Sequence, residues 1–106
     1  MRTAGKLFLD DRRPAPGGFR LVTSAKQCIE WMDRHRFRVV SLDYNLGLGK
    51  PTGYQVVRHM VRRNRFPDQI IIHSNSRLGR EKMYRLLLRR KPEQVRVRIR
   101  PLPAPR

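Results

Sequence analysis

The strongest constraint on this chain is a rhythm: short apolar runs alternate with stretches whose apolar residues recur at helical spacing. "KLFLDD", "FRLV", "FRVVSLD", "QIIIHS" and "VRVRIR" read as strands. "SAKQCIEWMDRH", "GYQVVRHMVRRN" and Gly79 to Lys91 read as helices, with Ala25, Cys28, Ile29 and Met32 on one face of the first. Val56, Val57, Met60 and Val61 form the buried stripe of the second, and Met83, Leu86 and Leu87 that of the third. Ser24 with Gln27, and Thr52 with Gln55, have the spacing of capping boxes. "QIIIHS" has the unbroken apolar core of a strand covered on both faces, whereas "VRVRIR" alternates strictly and suits a sheet edge. The alternation predicts a three-layer α/β domain: a mostly parallel sheet of about five strands with helices on both faces.

One connection departs from that scheme. Only Arg12 to Gly18, with two prolines and two glycines, separate "LDD" from "FRLV". A parallel crossover normally takes a dozen or more residues, so an irregular loop is expected in place of a first helix. The 106 residues suffice for a single layered core, assigned to residues 1–100, with the proline-rich 101–106 as an extended tail. No apolar run reaches membrane-spanning length, the first residues lack a signal-peptide pattern, and the single cysteine, Cys28, excludes a disulfide framework; the expected location is cytoplasmic.

Twenty-five basic residues against eight acidic ones give a formal charge of +17. Such a charge attracts polyanions, and nucleic acid, RNA more than DNA, is the expected partner. Twenty arginines against five lysines leave a second origin open, an arginine-favouring genome. No aromatic interleaves the basic stretches in sequence, so Trp31 and Tyr84 are expected to cover core.

Against that background the placement of the acids stands out. Three strands end in polar groups: Asp10-Asp11, Asp43, and His73-Ser74. Ligands of open parallel sheets bind beyond the carboxyl ends of the strands, so these groups are expected on one rim. Clustered carboxylates repel unless a positive charge lies between them, and a hard divalent ion such as Mg²⁺ on Asp10, Asp11 and Asp43 meets that need. The plainer alternative is a turn in which the acid pair meets Arg12 or Arg13. His73 is either an acid/base group at the rim or a hydrogen-bonded structural residue. Ser74, Arg13 and Arg80 are candidate phosphate ligands, or a turn residue and two cations that neutralise the acids. Ser76 is a candidate helix cap.

"LDDRRPAP", "SLDYNLG", "TGYQVV" and "HSNSRLGREKM" resemble, in order, the motifs of the cyclic-phosphate processing receiver domains, over residues 6 to 90. The resemblance implies a receiver-like (flavodoxin-like) sheet, an association with RNA repair, and a pocket marked by Asp10, Asp11, Arg13, Asp43, Thr52, Gly53, His73, Ser74, Gly79 and Arg80. Tyr44 and Asn45 stand where that family usually has histidine and aspartate, and Ser76 where it usually has asparagine. "DYNLG" is also similar to the aspartate run of phosphoacceptor receivers, with Arg100-Pro101 in place of their lysine-proline.

Three functions follow as expectations. The first is an enzyme acting on a cyclic phosphate at an RNA end, with Asp43 and His73 catalytic and Arg13, Ser74, Arg80 and Thr52 on phosphate. The second is a signalling switch phosphorylated on Asp43. The third is a degenerate receiver that only binds nucleic acid.

Overall fold

The computed structural model describes residues 4–102. Five strands, β1 (Ala4–Leu9), β2 (Phe19–Val22), β3 (Phe37–Leu42), β4 (Gln69–Ile72) and β5 (Arg96–Ile99), pair in the order β2-β1-β3-β4-β5. Every pairing is parallel. Three helices connect them: α1 (Ala25–Arg34), α2 (Gly53–Arg63) and α3 (Arg77–Arg90). This is the receiver-like α/β topology expected, and "VRVRIR" does supply an edge strand, with Arg96 and Arg98 exposed. No helix among the described residues is long and apolar enough to cross a membrane.

The helix starts follow from side chains that satisfy otherwise unpaired amides. Ser24 Oγ accepts from Gln27 N, and Gln27 Oε1 accepts in return from Thr23 N. Thr52 Oγ1 accepts from Tyr54 N. Ser76 Oγ accepts from Gly79 N, which starts α3 at Arg77, two residues before the start expected at Gly79. At the other end of α2, Asn64 adopts the left-handed conformation (φ 49°), and Arg65 N closes the turn onto the Met60 carbonyl.

Strand parity decides where the core lies. Leu7, Leu9, Val40, Leu42, Ile70 and Ile72 point to one face and pack with Cys28 and Met32 of α1, Val56, Val57 and Met60 of α2, and Met83 and Leu87 of α3. Burial pushes the Cys28 thiol up to about 12, so it serves as a small apolar residue. Helices α1 and α3 each pack against α2, so all three form one layer on one face. The opposite face carries Phe8, Val39, Ser41 and Ile71 in register, and no helix covers it among the described residues. The physical reason is the β1–β2 connection: it is an irregular loop, as expected, and supplies no helix to that face. Of the proposed tail, Pro101 and Leu102 are described, with Leu102 N donating to the His73 carbonyl; residues 103–106 lie outside the described residues.

Candidate functional site

The strand order changes direction between β1 and β3, so the chain opens a crevice at their carboxyl ends. The register sets Leu9, Leu42 and Ile72 side by side, which places the next residues, Asp10, Asp43 and His73, in one row. One ligand atom from each lies within 4.8 Å of the others.

Asp10 is fully buried and anchors the row. Its Oδ1 accepts from the amides of Arg12 and Arg13, both at 2.9 Å, which shapes the turn after β1. Its Oδ2 meets Arg13 Nη1 at 3.1 Å and His73 Nε2 at 3.0 Å. Burial alone would raise this carboxyl's pKa, but the two amides and the Arg13 and His73 side chains together hold it below the ordinary value.

His73 is also secluded, 1% exposed. Its Nδ1 lies 2.7 Å from Ser41 Oγ, and its ring stacks on Phe8 with centroids 4.3 Å apart. Ser41 sits opposite Phe8 on the intervening strand, and its small side chain lets groups from β1 and β4 meet across β3. Burial lowers the His73 pKa and the Asp10 carboxylate offsets this only in part, so the ring is neutral near pH 7. With one proton to place, Nε2–H donates to Asp10 and Nδ1 accepts from the Ser41 hydroxyl.

Asp43 faces the other way in charge terms. Burial and the like charge of Asp10 push its carboxyl above the ordinary value, with the Tyr44 amide, the Ser74 hydroxyl and Arg13 pulling back. Arg13 Nη1 is 3.9 Å from its Oδ2, so this guanidinium stands between the two carboxylates, and Arg13 Nη2 also donates to the Leu102 carbonyl.

Above this row lies a pocket of about 580 Å³, lined by Asp11, Arg12, Arg13, Asp43, Tyr44, Lys50, Thr52, Ser74 and Ser76 among others. The site residues anticipated from sequence therefore divide. Asp11, Arg13, Asp43, Thr52 and Ser74 face the pocket; Asp10 and His73 form its foundation; Arg80 supports it from behind by donating to the Ser74 carbonyl at 3.1 Å. Ser74 Oγ accepts from Ser76 N, and Thr52 caps α2 as well as lining the wall. Sequence reasoning missed Ser41, whose polarity inside "FRVVSL" was the available signal, and Lys50, whose loop gave none.

Two glycines fix the walls. A Cβ on Gly53 would overlap the Asp43 carbonyl oxygen, and one on Gly79 would overlap the Tyr44 ring. Gly53→Ala is expected to lower stability by about 2–3 kcal/mol, because backbone rather than a pliable side chain must move. A urea unfolding curve checks this; an unchanged midpoint would show that α2 shifts freely.

The hard oxygen donors and the small separation of ligand atoms suit a divalent cation. Both Asp10 oxygens already accept two bonds each, whereas Asp43, with Arg13 Nη1 3.9 Å from its Oδ2, and the exposed Asp11 line the pocket. The model of the cyclic-phosphate processing receiver domain matches residues 5–89, most of the chain. The chain belongs to this family. No curated protein matches it at a significant level. As a cyclic-phosphate processing receiver domain it combines the receiver-like sheet with a buried Asp10–Asp43–His73 cluster at its carboxyl edge.

Proposed function

We propose that this receiver domain binds a cyclic phosphate at an RNA end in the carboxyl-edge pocket and opens it by hydrolysis. The observation that carries the reading is Asp43: a buried carboxylate of raised pKa on the floor of a pocket walled by Arg12, Arg13, Lys50 and hydroxyl groups. That wall is a phosphate-binding donor set, and a carboxylate of raised basicity suits proton transfer. Asp11 would hold Mg²⁺, which supplies polarisation of the phosphate oxygens and leaves Asp43 for the proton.

In this reading Arg13, fixed on Asp10, and the Ser74 hydroxyl orient the phosphate. A water oxygen bonds to phosphorus and gives a proton to Asp43 as the bond to one ribose oxygen breaks. That oxygen takes a proton from solvent and Asp43 returns its own to solvent, leaving a phosphomonoester. His73 acts through Asp10, keeping the carboxylate aimed at Arg13, and is a positioning residue.

The seclusion of His73 favours a second reading, because its imidazole, though within 4.8 Å of Asp43, does not line the pocket and bonds Asp10 and Ser41 instead. There, Asp43 itself would take a phosphoryl group and the domain would act as a switch. Titrating ¹⁵N-labelled protein with 2′,3′-cyclic AMP and MgCl₂ is expected to move the amides of Arg12, Tyr44, Lys50 and Ser76. Shifts absent there would contradict the cyclic-phosphate reading.

A further inference from the structure

The opposite, amino edge of the sheet holds a cleft of about 800 Å³ that the carboxyl-edge chemistry does not use. Four arginines line it, Arg36, Arg63, Arg65 and Arg96, against one acid, Asp68. Arg63 lies in the last turn of α2, where the helix dipole accounts for a cation. Arg36 and Arg65 lie in connections and Arg96 opens β5, so the dipole does not explain them. Arg36, Arg63 and Arg96 make no ion pair within 4.0 Å among the described residues. Arg65 is held in place by Nε donating to the Met32 carbonyl at 3.1 Å.

Aromatic rings accompany these charges. His35, exposed on the cleft wall, stacks on Trp31 with centroids 5.0 Å apart and meets the edge of Phe37 at 6.2 Å. The Arg20 guanidinium lies 4.3 Å from the Trp31 centroid. Cations and rings thus alternate in space although they do not in sequence. Concentrated unpaired cations beside an exposed stacked ring form the combination that single-stranded nucleic acid needs: charges for the phosphates and a flat platform for a base.

We propose that this amino-edge cleft binds single-stranded nucleic acid, its phosphates on Arg36, Arg63, Arg65 and Arg96 and a base on His35. The site is separate from the pocket: β3, six residues long, spans the two edges, about 20 Å. It stands whether or not the pocket turns over a phosphate ester.

The test uses fluorescence anisotropy with labelled 12-mers of RNA and of DNA ending in 3′-hydroxyl groups, which offer the pocket no cyclic phosphate. Arg36→Gln with Arg96→Gln should weaken binding on the order of tenfold and reduce the log K versus log salt slope by about 1.4. His35→Ala should weaken it about fivefold without changing that slope. Arg85→Gln with Arg89→Gln, an equal charge loss on the exposed side of α3, should change binding less than twofold, as should Asp43→Asn. The tighter of the two 12-mers identifies the natural strand. Equal losses in both arginine pairs would reduce the effect to net charge and overturn the site. Duplex binding as tight as single-strand binding, or a loss in Asp43→Asn, would overturn it too.

Discussion

Asp10→Ala is expected to lower the free energy of unfolding by about 3–5 kcal/mol. The substitution strands a buried imidazole N–H and two backbone amides and takes from Arg13 the nearer of its two carboxylates. Urea unfolding measures it; a loss under about 1 kcal/mol would mean that water replaces the carboxylate. Asp10→Asn keeps the Oδ acceptor and should lose less, since His73 can shift its proton to Nδ1 and donate to Ser41. The same network makes the fold sensitive to acid. The lowered His73 pKa means the unfolded chain takes up this proton first, so stability falls as pH drops below about 6.5. Asp10, also lowered, contributes stability present above about 3.9 and lost as pH falls through its folded pKa.

Asp43→Asn should move the other way in stability and abolish turnover. A carboxyl whose folded pKa is raised contributes stability below its unfolded pKa and loses it as pH rises through the folded one. At neutral pH the charge therefore works against folding, and the amide removes both its desolvation and its repulsion from Asp10. Tm is expected to rise by a few degrees, on the order of a 1 kcal/mol gain for a domain of this size. The gain should vanish near pH 3, where aspartate is itself protonated. An unchanged or lower Tm at pH 7 would contradict the electrostatic account of the pocket floor. A stabilising substitution that removes activity is the signature of a residue kept for chemistry.

The two periodicities exposed most of the fold, because strand and helix faces differ so plainly in "QIIIHS" and "GYQVVRHMVRRN". The convergence of Asp10, Asp43 and His73 was legible for the same reason: parallel strands that end on polar residues bring those residues to one rim. Their division into floor and foundation was not. It depends on His73 reaching Asp10 across β3, which the small Ser41 permits and no local pattern announces. On the helix-free face Ile71 is half-buried, while Phe8, Val39, Ser41 and His73 are buried. The aromatic–cation alternation at the amino edge was hidden as well, since Arg20, Trp31 and Phe37 sit on three different elements. The +17 charge suits a polyanionic partner and says nothing of where on the surface one would lie.

The central claim is that Asp43 opens a cyclic phosphate, and a ³¹P NMR time course tests it most directly. The protein, MgCl₂ and an RNA ending in a 2′,3′-cyclic phosphate share one tube; acetyl phosphate replaces the RNA in a second. The account predicts that the cyclic resonance gives way to a phosphomonoester, and that Asp43→Asn stops this while His35→Ala does not. A cyclic resonance that persists in the first tube, with a protein-bound acyl phosphate in the second, would contradict hydrolysis and establish the switch.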